Sequence, residues 1–154
     1  MSSPLRARLT DDLKGAMRAG DQLRVSTLRM VLARLKETDI AARPSGVAAV
    51  PDDEIFVMLR SMVKSRRDSE AMYRQGNRPD LADREAGEIA VIEEFLPRTL
   101  AGEALDAAIA EAIAQTGAAG PRDMGKVVAA LKARHGASLD MAATAAAVKA
   151  RLAA

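Results

Sequence analysis

Cysteine and tryptophan are absent from the chain, histidine occurs once, and the aromatic residues are Phe56, Phe95 and Tyr73 alone. Each shortage closes off a class of chemistry. Without cysteine there are no disulfides, no thiolate metal ligands and no Cys–His nucleophile. A single histidine leaves a conventional zinc site short of ligands, and His135 falls beside Arg134 at a helix end, where histidine ordinarily partners the helix dipole. Phosphate loops of the Walker type, a dinucleotide fingerprint and a nucleophile elbow are all missing. The adjacent carboxylates Asp52/Asp53 and Glu93/Glu94 point to different sides of a helix, which suits capping or solvation better than paired acid–base work. No catalytic constellation, cofactor or metal is therefore expected. No stretch approaches the roughly 20 apolar residues that span a bilayer, and the charged start MSSPLRARLTDDLK is unlike a secretory signal. A cytoplasmic location and no membrane partner are the resulting expectations.

What remains is 154 residues that are 49% hydrophobic and rich in alanine, leucine and arginine. A core must be assembled from Ala, Leu, Ile, Val and Met. Those small and straight-chain residues favour helices, while β-branched and aromatic strand formers are few. The fold class expected is all-α.

The chain divides around Glu85–Leu100, EAGEIAVIEEFLPRTL. Ile89, Ile92 and Leu96 recur at helical spacing, and Pro97 stops the helix by disfavouring helical geometry at Leu96. Residues 1–97 are thus expected to form an N-terminal domain of about four helices, and 98–154 a small C-terminal three-helix bundle. The first helix runs from Pro4 to Ala19 with Ser3 as cap, Gly20 as stop, and an apolar stripe of Leu5, Leu9, Leu13 and Met17. Asp21 opens a second, to about Ala42. After the loop Arg43–Pro51, Asp52 caps a third, to about Gln75, with Ile55, Leu59, Met62, Met72 and Tyr73 as anchors. Pro79 starts the fourth. The C-terminal helices are expected over Gly102–Gln115, after Gly120-Pro121 as far as His135, and over Asp140–Leu152, the last with Met141, Ala145, Val148 and Leu152 inward.

The net charge of +2 is too small to announce a nucleic-acid partner by itself. Residues 1–97 balance 16 Lys and Arg against 16 Asp and Glu, and 98–154 carry 7 against 5. Arginine dominates the first group, as phosphate recognition would ask and as a GC-rich genome would also give. One constellation stands out. Arg60, Lys64, Arg67 and Arg74 are spaced by four, three and seven, which places them on one side of the third helix with Arg66 flanking. Such a row suits a phosphate backbone. It equally suits a solvated face neutralised within the helix, Lys64 with Asp68 and Arg66 with Glu70. Lys126, Lys132 and Arg134 form a weaker second group. With so few rings to stack on, a nucleic acid would be held by shape and backbone, as a folded RNA is.

The chain resembles the GatB/YqeY family of bacterial proteins. The stretches that carry the resemblance are VSTLRMVLARLK (Val25–Lys36), KSRRDS (Lys64–Ser69), EIAVIEEFLPRTL (Glu88–Leu100) and RDMGKVVAALK (Arg122–Lys132). In that family the same unit forms the helical tail of the B subunit of the glutamine-dependent tRNA amidotransferase. The resemblance implies two helical domains and contact with a tRNA body rather than catalysis, since the amidotransferase chemistry belongs to a different domain. Lys64, Arg66 and Arg67 fall in the family's basic KxRR piece, and Gly125 and Lys126 in its MGK piece. Gly125 is expected in mid-helix, explained by close helix packing or by a phosphate. Ala101-Gly102 departs from the Ser or Thr cap that relatives place after the hinge, so the start of that helix should fray. The expected function is a non-catalytic tRNA-binding accessory module acting through Arg60, Lys64, Arg66, Arg67, Arg74, Lys126 and Lys132. The alternatives are an adaptor docking a synthetase or amidotransferase subunit and, by family label only, a carbon–nitrogen ligase using glutamine.

Overall fold

A computed structural model describes residues 3–154. Among these residues there are seven α-helices, three short 3₁₀ turns and no strand: α1 Pro4–Ala19, α2 Gln22–Ala42, α3 Asp52–Gln75, α4 Pro79–Glu93, α5 Gly102–Thr116, α6 Met124–His135 and α7 Met141–Ala153. The all-α class is as the composition requires. Contacts divide the chain into one unit ending at Leu96 and a second from Pro97 to Ala154.

In the first unit, α1 is capped by the Ser3 hydroxyl, which accepts the Arg6 N–H, and closed by Gly20 at φ 71°. Asp21 caps α2 through the Arg24 N–H, so the turn between the two helices is two residues long. α3 packs along α4, α1 lies against α2, and α2 also meets α4. Leu9, Leu28, Val31, Ile55, Leu59, Ile92 and Phe95 fill the centre. Leu5 and Leu9 are buried as expected, but Met17 is 53% exposed. Met72, expected as an anchor of α3, is 71% exposed. Two boundaries also differ. Pro51 occupies the cap position of α3, and Asp52 is its first helical residue. Its carboxylate accepts the Ser3 hydroxyl instead, which joins the starts of α1 and α3. α4 ends at Glu93 rather than at the proline, because the Phe95 and Leu96 N–H groups bond back three residues to Ile92 and Glu93 and tighten the last turn.

In the second unit, α6 packs between α5 and α7. Its core is Leu105, Ile109, Val127, Leu131, Leu139 and Val148. Ala101 provides no side-chain cap for α5, as its side chain dictates, and Gly102 sits at φ 55°. Met141 begins α7 and is 41% exposed, not turned inward. The Leu100 N–H donates to the Ser138 carbonyl at 2.7 Å, which fastens the start of this unit to the turn before α7.

Candidate functional site

The basic row of α3 exists in part. At about 100° per residue, Arg60, Lys64, Arg67 and Arg74 fall within one sector of the helix, and they span about 21 Å along its axis. Lys64 is exposed and stands in no ion pair among the described residues. Arg67 pairs with Glu93, and Arg74 with Glu70 at 2.9 Å and Asp83 at 3.4 Å; Glu70 is half-buried and the other groups are open to solvent. Arg60 is half-buried. Arg66 does not flank the row. It shares the register of Ile55, Leu59 and Met62, spaced four, three and four, and so turns into the α3–α4 interface. There its Nε donates to Glu88 Oε2 at 3.0 Å, with only 14% and 8% of the two side chains exposed. The expected Lys64–Asp68 and Arg66–Glu70 pairs are replaced by Arg66–Glu88 and Arg74–Glu70.

Further acids are also engaged. Glu94 pairs with Arg24 at 2.6 Å, and Arg24 reaches Asp12 at 3.3 Å. Arg8 donates to the Glu94 carbonyl and lies 4.7 Å from the Phe95 ring centre. In the second unit Lys126 is exposed and 3.6 Å from Asp123, Lys132 is exposed, and Arg134 pairs with Glu111. Gly125 is not in mid-helix. It lies in the first turn of α6, exposed, and a Cβ added there would meet nothing within 4 Å. Close helix packing does not explain it. Among the described residues no group of His, Asp and Glu is arranged to hold a metal ion.

A cleft of about 410 Å³ opens above the Arg66–Glu88 pair. α3 contributes Ser65, Ser69 and Tyr73 to its wall, and α4 contributes Leu81, Arg84 and Glu85. Met30 of α2 closes one side. Arg84 Nε stands 3.5 Å from Glu88 Oε1, so each carboxylate oxygen of Glu88 has its own arginine. Burial pushes the Glu85 carboxyl above its usual range, and the nearby Glu88 adds to the effect. Sequence reasoning passed over this cleft. Its signal was Arg66 on the apolar register of α3 and Glu88 next to Ile89 on that of α4.

A sequence model of the family described as Yqey-like protein matches residues 6–152. The chain belongs to the YqeY family. Three of the four stretches on which the resemblance rested send residues to the cleft: Met30 from the first, Ser65, Arg66 and Ser69 from the second, and Glu88 from the third. Among curated proteins, this YqeY-family chain is similar to "Altered inheritance of mitochondria protein 41, mitochondrial" of several yeasts. Identity is 34% over 91 residues with the Kluyveromyces lactis protein, covering 58% of this chain and 46% of the relative. It is 34% over 90 residues with that of Lachancea thermotolerans, with the same shares covered. For Saccharomyces cerevisiae it is 26% over 98 residues, 64% of this chain and 51% of the relative. The chain thus spans about half the length of the curated relatives it matches. Those relatives are yeast proteins named as mitochondrial, so neither a bacterial source nor a cytoplasmic location follows from the likeness. No helix among the described residues is long and apolar enough to cross a membrane.

Proposed function

We propose that this chain is a non-catalytic RNA-binding accessory module that holds a folded RNA, tRNA in the first instance, by its phosphate backbone. The observation that carries the reading is the row Arg60, Lys64, Arg67 and Arg74 on one side of α3. Lys64 is uncommitted, and the pairs Arg67–Glu93 and Arg74–Asp83 are exposed, so exchanging those carboxylates for phosphates costs little. Lys126 and Lys132 are a second contact group in the same proposal. Tyr73 is half-buried in the cleft wall and gives the row no stacking platform, which favours backbone contacts over base reading. In this reading residues 1–97 and 98–154 are the two helical domains of the module, which acts in the cytoplasm.

The test is a salt titration of binding to total tRNA. Affinity should fall steeply as salt rises, by about 0.7 to 0.9 in log–log slope for each phosphate contacted. Charge reversal at Lys64 and Arg67 should lower both affinity and slope. Unchanged binding in that variant would overturn the assignment of the surface, and no binding at low salt would overturn the function. A second reading is an adaptor for a protein partner such as a synthetase or amidotransferase subunit; it would draw on exposed apolar residues such as Val57 and Met72, which stand about 22 Å apart along α3 and form no single patch. It predicts a complex that tolerates salt, survives nuclease and is lost in Val57→Ser or Met72→Ser.

A further inference from the structure

We infer that the cleft above Arg66 and Glu88 binds a small zwitterion, a free α-amino acid with an uncharged side chain, its carboxylate on Arg84 and Arg66 and its ammonium on Glu85. Burying an ion pair as deeply as Arg66–Glu88 is a poor way to gain stability, since an apolar pair of similar volume would serve as well or better. A buried pair at the floor of an open cleft therefore calls for another reason.

The charges of the cleft are divided into committed and spare. Glu88 is committed, with an arginine on each oxygen. Arg66 spends Nε on Glu88 and Nη1 on the Met62 carbonyl at 3.3 Å, while Nη2 has only the Met30 sulfur, a weak acceptor, at 3.7 Å. Arg84 reaches Glu88 through Nε alone, beyond good hydrogen-bond length, and its side chain is 64% exposed. Both guanidinium groups thus hold unspent donors. Glu85, half-buried on the same wall, stands in no ion pair among the described residues.

Two arginines against two carboxylates leave the cleft balanced. A simple anion would face the spare carboxylate, and a simple cation would face the spare guanidinium groups. A ligand carrying both charges meets each with its complement and leaves neither unpaired. Planar guanidinium groups suit a carboxylate. Met30 and Leu81 offer an apolar wall, and Ser65 and Ser69 offer hydroxyls, so the side chain accepted is small to medium and uncharged. The cleft faces away from Arg60 and Lys64 on α3, so the inference stands or falls independently of RNA binding.

The experiment is a calorimetric and NMR titration of the full chain with the common L-amino acids, each beside its N-acetyl derivative and its amide. Free amino acids with uncharged side chains should bind and move the amide resonances of Ser65, Ser69 and Glu85. The N-acetyl derivative, lacking the ammonium, and the amide, lacking the carboxylate, should each bind at least about tenfold more weakly. Glu85→Gln and Arg84→Gln should abolish binding while their spectra stay folded, and Lys64→Gln on the other face should leave it intact. If no free amino acid moves the cleft resonances, or if acetate, inorganic phosphate or the blocked derivatives bind as well, the inference is overturned.

Discussion

Arg6 and Asp39 grip one another through two parallel hydrogen bonds, Nη1 to Oδ2 and Nη2 to Oδ1, both 2.8 Å. The same two side chains hold the loop that follows α2. Arg6 Nη2 also donates to the Val50 carbonyl at 2.8 Å, and the Val50 N–H donates to Asp39 Oδ1 at 2.9 Å. One bidentate pair thus joins α1, the end of α2 and the entry to α3.

Replacing Asp39 by asparagine should cost about 1.5–3 kcal/mol in urea unfolding at neutral pH, the range for hydrogen bonds to charged groups. The hydrogen bonds from Arg6 hold the Asp39 carboxyl below its usual range, against the opposing pull of burial and with help from the Val50 N–H. A carboxylate more acidic in the folded chain than in the unfolded one adds stability above its unfolded pKa. That stability is lost as pH falls through the folded value. The gap between the two proteins should therefore narrow in acid, and a gap that stays constant would contradict the pairing.

The pair Arg66–Glu88 should behave as a unit. Arg66→Met leaves Glu88 with the looser Arg84 contact alone and should cost about 3 kcal/mol. Arg66→Met together with Glu88→Leu should cost less than the single change, because no buried charge is left unpaired. A double-mutant cycle measures this, and additive losses would mean that the two groups are not coupled.

Much of this architecture was legible in the sequence because turns are local. Gly20 and Gly117, at φ 71° and 67°, close α1 and α5 in the left-handed conformation that glycine adopts cheaply, and Pro121 opens the turn that leads into α6; at the end of α3 the left-handed residue is Asn77 rather than Gly76. Facing was legible only over short spans. A four-residue spacing advances about 400°, so each step of Leu5, Leu9, Leu13 and Met17 drifts about 40° from the last, and Met17 ends well off the face of Leu5. The same arithmetic, carried from Ile55 to Met72, puts that methionine about 100° off the core. Arg66 was misread for a different reason. Its charge suggested surface, whereas its register with Ile55, Leu59 and Met62 was that of the core, and only the partner Glu88 on another helix reconciles the two.

Glycines whose added Cβ meets nothing should be replaceable at a gain. Gly15 lies inside α1, exposed and with open space around it. Gly15→Ala should add about 1 kcal/mol, the helix-propensity difference. Gly87 in α4 is a contrast, since a Cβ there would come within 2.8 Å of Leu23 Cδ2. Leu23 is 36% exposed and free to rotate, so Gly87→Ala should gain less than Gly15→Ala but remain folded. Thermal melts rank the two, and the reverse order would refute this packing of α2 on α4.

Thr144 in α7 is 1% exposed, and its hydroxyl has no hydrogen-bond partner among the described residues. Thr144→Val keeps the shape and removes the stranded group, so it should stabilise the chain by about 1 kcal/mol. A loss in denaturant unfolding would mean that the hydroxyl is satisfied in solution.

Glu85 should oppose folding at neutral pH. Burial raises its pKa, and the neighbouring Glu88 and Glu70 add to this, while Arg66 and Arg84 pull it down only in part. A carboxyl that is less acidic in the folded chain than in the unfolded one binds more protons when folded. Stability then rises as pH falls through that window, and the charged form is penalised above it. Glu85→Gln removes the penalty and should raise stability at neutral pH. The advantage should shrink as acid protonates the wild-type side chain. Melting both proteins across the acidic range decides the matter. If glutamine destabilises the chain at neutral pH, then Glu85 is held by a cation after all, and the spare carboxylate on which amino-acid binding depends does not exist.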